Sequence, residues 1–306
     1  MGDKLRVVLS GIYFPVAIVR YFQAAFRRRD DVHLYTVGPY TGRAIPWAGG
    51  MFVDCPLPQP HLVLPNEWNS TQITYVENLL PWEPDLWINV NAGYTLRGHP
   101  LKGKYFVIGT DPHCLNYDYD RTQADVFFNM QKPYMNENDV WLPYAYDPVY
   151  HHIGNSEQRV YDFGIIGADG RQGPLYLSRD HLVSALRARG YKVLQEFGKA
   201  YDECADLMHQ CKVGLNWSTR QDTTARVFET MALGCALLTN RTPDLPNLGF
   251  VEGRDYEGFA DLREALLKAE LLMNGDTRWT LTSREGSLAV REHSWDTRVQ
   301  EILNHV

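Results

Sequence analysis

The stretch TTARVFETMALGCALLTN, residues 223–240, decides how this chain is read. It predicts a short helix through Arg226 and Glu229, a stop at Gly234 and a buried strand over residues 235–239. Arg226 and Glu229 are three residues apart and so share one helical face. A helix start offers unpaired backbone N–H groups and a positive dipole end to a phosphate. A carboxylate one turn further in can accept hydrogen bonds from sugar hydroxyls, which suits Glu229 to a ribose. Taken alone, an Arg-x-x-Glu pair is more often a solvent-facing ion pair on an ordinary amphipathic helix.

On either side the same rhythm repeats. Residues 5–10 read as a strand, 11–14 as its turn, 15–29 as a helix with proline in its first turn, and 32–37 as a second strand. Strand, turn, helix, strand opens a doubly wound parallel sheet, in which ligands bind beyond the carboxyl ends of the strands; Gly11 is placed for that. Further strands are expected at 85–90, 105–109 and 125–129. Residues 39–68, rich in Pro, Gly and Trp, read as a long loop suited to acceptor recognition. The polar run HHIGNSEQR, residues 151–159, suggests a domain boundary, after which the rhythm restarts. Strands then fall at 160–167, 192–194 and 213–216, and helices at 181–189, 201–210, 262–273 and 279–292.

With 306 residues, 44% of them apolar or aromatic, the chain can build two cores. Its five cysteines are scattered, without a C-x-x-C pair or metal-ligand spacing, and read as reduced thiols. No apolar run reaches the roughly 18 residues of a membrane span, and MGDKLRVVLS runs straight into a strand. A cytoplasmic protein is expected. The net charge of −7 gives no overall attraction to nucleic acid, though it leaves room for a local basic groove.

Several motifs together resemble the nucleotide-sugar glycosyltransferases of the two-Rossmann-domain (GT-B) type, including the spore-maturation CgeB-like and glycosyltransferase family 4-like groups. They are Phe163-Gly164-Ile165-Ile166-Gly167, Arg179, Arg226-x-x-Phe228-Glu229 with Gly234, residues 237–240, Asp244-Leu245, and His293-Ser294-Trp295 with Arg298. The N-terminal half contributes only Thr110-Asp111-Pro112-His113 and Trp141-Leu142-Pro143. The resemblance implies an α/β fold of two Rossmann-like domains facing a central cleft. Residues 1–155 would form the acceptor domain and 156–289 the donor domain, with a last helix in 290–306 crossing back to the first. It implies a nucleotide-diphosphate sugar as co-substrate, a UDP-sugar foremost, with no metal and no other cofactor.

Candidate site residues follow from both readings. Gly164, Gly167 and Gly170 form a loop whose backbone can approach a phosphate, though without a complete G-x-G-x-x-G pattern it reads also as a tight turn. Arg171 and Arg179 are the cations for a diphosphate, against solvated charges at the start of a helix. Related retaining enzymes carry two glutamates eight residues apart. Glu229 matches the second, while Gln221 stands in place of the first, with Asp222 adjacent. Trp217 suits base stacking or a core. In TDPHC, Asp111 or His113 could take the acceptor's proton, or Asp-Pro could simply start a turn. Tyr117, Asp118, Tyr119 and Asp120 suit a hydroxyl-rich acceptor or an exposed loop. His151 and His152 with Asp147 lack the spacing of a metal site.

The function expected is sugar transfer to a hydroxyl of a glycan, a protein or a hydroxymethylated DNA base. If the outcome is inversion, Asp111 or His113 is the base; Glu229 favours retention. An epimerase of the same fold and a non-catalytic sugar- or nucleotide-binding protein are the alternatives.

Overall fold

The computed structural model describes residues 4–45, 53, 59–65, 71–154 and 159–306. The chain divides into two compact units, Met1–Pro143 with Trp295–Val306, and Tyr144–Ser294.

The first unit opens with β1 (Leu5–Gly11), α1 (Ile18–Arg27), β2 (Val32–Pro39), β3 (Leu62–Leu64), α2 (Ile73–Glu77) and β4 (Leu86–Asn91). It continues through β5 (Lys104–Gly109), α3 (Asp118–Gln123), β6 (Val126–Asn129) and β7 (Val140–Trp141). The strands form one parallel sheet in the order β3-β2-β1-β4-β5-β6-β7. Its central strands are covered on both faces, which is why they read as unbroken apolar runs: Val7, Val8, Leu9, Leu86, Ile88, Phe106 and Val107 are fully buried. Helix α1 is shorter than expected at its start. Pro15 lies in a turn closed by Ala17 N–H on Phe14 O (3.1 Å), and the extended Ala17 caps the helix. Of the loop expected over 39–68, the described part contains β3, an edge strand on β2; residues 46–52, 54–58 and 66–70 lie outside the described residues.

The second unit contains β8 (Tyr161–Ile166), α4 (Leu177–Ala188), β9 (Val193–Glu196), α5 (Tyr201–Met208), β10 (Cys211–Asn216) and α6 (Ala225–Ala232). After these come β11 (Ala236–Asn240), α7 (Asp244–Asn247), β12 (Tyr256–Phe259), α8 (Leu262–Met273) and α9 (Asp276–Ala289). Its five strands are parallel, in the order β12-β11-β10-β8-β9. Phe163, Ile165, Val213, Leu215 and Leu238 meet Leu182, Leu186, Ala265 and Leu272 in its core. Helix α6 stops at Gly234, whose φ of 70° is the left-handed value anticipated from the sequence.

A final helix, α10 (Trp295–Leu303), belongs to the first unit. Trp295 stacks on Tyr21 (5.7 Å between ring centroids) and meets Phe22 edge-on (4.9 Å). Asp296 pairs with Arg28 at 2.8 Å, and Arg298 Nε donates to Pro143 O at 2.9 Å.

The boundary expected at 155/156 falls instead after Pro143. Tyr146 N–H donates to His293 O (3.1 Å) and Tyr146 bridges Ser294, tying the stretch before the polar run to the second unit. For the same reason residues 290–294 stay with that unit, and only the segment from Trp295 joins the first.

Candidate active site

In the second unit the strand order reverses between β8 and β10, so a crevice opens beyond their carboxyl ends. Arg226, in the first turn of α6, closes it from the helix side. Its Nε donates to Ile166 O at the end of β8 (2.9 Å) and its Nη1 to Asn216 Oδ1 at the end of β10 (3.1 Å). Asn216 in turn donates to Thr239 Oγ1 (2.9 Å), and Asn240 Oδ1 accepts from Ser218 N–H (2.7 Å), so the ends of β10 and β11 are tied together. Gly167 follows β8 with a φ of 150°. The N-cap of α6, Thr224, makes no side-chain cap bond; its carbonyl accepts from Val227 N–H (3.1 Å), so the anion-binding groups at this helix start are the N–H groups of Ala225 and Arg226.

A second guanidinium joins the first. Arg179, in the first turn of α4, is buried; its Nη1 donates to Ala168 O (2.7 Å), its Nε to Trp217 O (2.9 Å), and it lies over the Tyr176 ring at 4.9 Å. Burial first, then the charge of Arg226, pulls its pKa downward. Burial does the same to Arg226, opposed by Glu229 and further by Asp222. Each guanidinium spends two of its five donors on protein oxygens. Two crowded cations with spare donors at a strand-end crevice are an electrostatic demand for an anion.

Glu229 is half-buried, one turn beyond Arg226, with its Oε1 at 3.8 Å from His151 Nε2. His151 is buried, and its Nδ1 accepts from Asp147 N–H at 3.0 Å, so Nε2 carries the ring proton toward Glu229. From the sequence His151 is a candidate only for a metal site, and this contact with Glu229 is not visible there. No local spacing could reveal it, because the two residues are 78 positions apart in the chain.

Other sequence candidates fall elsewhere. Arg171, expected on the diphosphate, has a side chain 70% exposed and an ion pair with Asp169 at 2.7 Å. That pairing, chiefly its side-chain hydrogen bond, holds the Asp169 carboxyl below its usual pKa. Asp169 and Gln172 cap the one-turn helix Gly170–Gln172 reciprocally, so this part of the glycine loop is a self-closed turn. The Trp217 ring packs edge-on against Phe259 (4.9 Å) beside the core; only its carbonyl serves the site, through Arg179. Gln221 is exposed with a φ of 59°, and Asp222 accepts from Ser218 Oγ, closing the loop between β10 and α6.

In the first unit, Gly11 ends β1 and is required for packing: a Cβ there would meet Val90 O at 3.0 Å and Val19 Cβ at 3.1 Å. Asp111 follows β5 and starts a turn, its carbonyl accepting from Cys114 and Leu115 N–H (2.9 Å each) and its carboxylate from Thr110 Oγ1 (2.5 Å). The His113 ring lies 6.3 Å from that of Tyr134. Tyr117 and Asp120 are buried, whereas Asp118 and Tyr119 are exposed. Among the described residues no group of three potential ligands is arranged for a metal ion, and no helix is long and apolar enough to cross a membrane.

A glycosyl transferase-like family model matches residues 161–304. No curated protein matches the chain in sequence. Among solved structures, an alpha-glucosyltransferase in complex with UDP-glucose and DNA containing an abasic site is similar over 99% of both chains, with 8% identity and a TM-score of 0.63. Sucrose-phosphate synthase from Thermosynechococcus elongatus gives 9% identity and a TM-score of 0.63 over 99% of this chain and 98% of that one. The S. aureus MnaA–UDP co-structure gives 13% and 0.56 over 98% and 95%. The fold is thus that of the GT-B glycosyltransferases. Within that fold, residues 161–304 are the part similar to the glycosyl transferase-like family.

Proposed function

We propose that the second unit binds a UDP-sugar and that the chain transfers its hexosyl group to an acceptor hydroxyl. The observation that carries this reading is the convergence of Arg179 and Arg226 at the carboxyl ends of β8 and β10, beside Gly167. In the reaction the bond from the anomeric carbon to the β-phosphate oxygen breaks, its electron pair leaving with UDP. A bond from the acceptor oxygen to that carbon forms, and the acceptor releases its proton. The guanidiniums and the start of α6 stabilise the charge that develops on the diphosphate. Glu229, oriented by His151, accepts from the ribose hydroxyls. We favour retention at the anomeric carbon; if the reaction inverts, Asp111 or His113 is the base. The thiols of Cys204, Cys211 and Cys235 suit a reducing, cytoplasmic setting.

The test is a thermal-shift and calorimetric screen against UDP, GDP, ADP, CDP and their common sugar conjugates, repeated with Arg179→Ala and Glu229→Ala. The reading requires binding of UDP that both variants weaken. Folded protein that binds none of them overturns it, and conversion of donor without acceptor redirects it to an epimerase.

A further inference from the structure

The first unit holds a cavity of about 480 Å³, within the range of about 300–1,000 Å³ usual for small-ligand sites. Asn91, Thr95, Arg97, Asn116, Tyr119 and Asp120 contribute to its lining. It lies at the carboxyl end of β4, where a doubly wound sheet binds ligands, and next to the point where the strand order reverses between β1 and β4.

Its wall is built rather than incidental. The Tyr117 hydroxyl is buried, donating to Asn91 O (2.8 Å) and accepting from Asp111 N–H (3.1 Å), which fixes the loop after β5 against the end of β4. Asn91 is buried; its Oδ1 accepts from Gly93 N–H (2.9 Å) and its amide donates to Asp120 Oδ1 (3.1 Å). Asp120 is itself only 5% exposed, and burial raises its pKa against the hydrogen bonds from Thr95 and Asn91. A carboxylate has about four acceptor positions, so further donors can be taken there, and they would relieve the cost of burying the charge. Tyr119 accepts from Gly98 N–H (3.0 Å) with its ring 50% exposed, and Arg97 forms no ion pair with any described residue.

We infer that this cavity binds the acceptor and that the acceptor is a saccharide, its hydroxyls bonded to Asp120 and Arg97 and a ring face laid on Tyr119. The inference rests on the transferase reading above. One carboxylate, one guanidinium, two carboxamides and an aromatic face match a neutral polyol. A nucleic acid would ask for several cations facing successive phosphates, whereas among the described residues this lining offers Arg97 alone, offset by Asp120 and by the neighbouring Asp118.

The test uses the whole chain and two exposed-side-chain variants, Tyr119→Ala and Arg97→Ala. Saturation-transfer NMR and calorimetry are run with glucose, galactose, mannose, N-acetylglucosamine and their disaccharides, and with a DNA duplex of about a dozen base pairs containing 5-hydroxymethyl bases. Expected is binding of at least one saccharide, weakened about tenfold or more by Tyr119→Ala, with UDP affinity unchanged in both variants. The inference is overturned if no saccharide binds, if neither variant weakens binding, or if the duplex binds and is the probe the variants weaken. UDP binding, measured in the same samples, reports on the donor reading separately.

Discussion

A Cβ on Gly167 would lie 2.0 Å from Nη2 of Arg226, so the guanidinium occupies the space that any side chain at position 167 would take. The φ of 150° at Gly167 adds a backbone cost for other residues. Gly167→Ala is therefore expected to displace Arg226 from Ile166 and Asn216 and to destabilise the second unit by about 1–3 kcal/mol. UDP affinity should fall about tenfold or more while the circular dichroism spectrum is retained. Unchanged affinity in folded Gly167→Ala would remove Arg226 from the donor site.

Arg171 and Arg179 carry the same charge but stand in opposite situations. Arg171 is exposed and paired with Asp169, whereas Arg179 is buried, shares two carbonyls and faces Arg226. Arg171→Ala should change UDP affinity less than about twofold, because its charge is already met locally. Arg179→Ala should reduce it about tenfold or more. Calorimetry on the two variants decides, and a reversed order would move the diphosphate to the Gly170–Gln172 turn.

The contact of His151 with Glu229 makes a prediction in kinetics. Glu229→Ala is expected to raise KM for the UDP-sugar about tenfold with a smaller change in kcat, and to remove discrimination against a 2′-deoxyribose donor. His151→Phe should act in the same direction but more weakly. In the Glu229→Ala background it should add little, as coupled neighbours do. Additive effects would show that His151 does not act through Glu229.

Much of this architecture could be read from the chain because parallel strands covered on both faces spell apolar runs, as in residues 5–11, 161–166 and 236–240. β12 could not, because Glu257 interrupts it; the structure buries that carboxylate against Lys268 (2.7 Å) and Arg278 (2.5 Å). Arg226 and Arg179 were legible through the resemblance, and their strand-end setting through the expected topology. What joins them was not: the bonds of Arg226 to Ile166 and Asn216, of Arg179 to Trp217, and of His151 to Glu229 all depend on tertiary placement. The glycines show the same limit. Gly11 and Gly167 look alike as strand-end residues, yet one makes room for Val19 and the other for a guanidinium.

Stability should depend on pH through the ion pairs at the end of β11. Arg241 bonds both Glu252 and Glu264 at 2.7–2.8 Å, and Glu264 also accepts from Ala260 N–H. The Arg241 hydrogen bonds, chiefly, lower the Glu264 pKa from 4.5 to about 2. A carboxyl depressed in the folded state contributes stability that is complete above its unfolded value and is lost as pH falls from about 4.5 toward 2. The pair is partly exposed, so solvent screening reduces its size. Urea midpoints between pH 6 and 3 should fall on acidification, and Glu264→Gln should flatten that slope. An unchanged slope would assign the acid sensitivity to other carboxylates.

Cysteine reactivity should separate surface from interior. The thiolate is the nucleophile, and its population depends on pKa. Burial pushes the Cys204 thiol up to about 12 and raises Cys211 and Cys235 as well, whereas Cys114 is exposed. At pH 8 iodoacetamide should label Cys114 within minutes, and Cys204, Cys211 and Cys235 only after denaturant is added, as read by peptide mass mapping. Cys235 is the most telling of these. Its sulfur lies 3.2 Å from Arg159 Nη1, a cation that opposes burial by favouring the thiolate. Labelling of Cys235 in the folded protein would mean that Arg159 outweighs desolvation there, reversing the order of effects argued for this thiol.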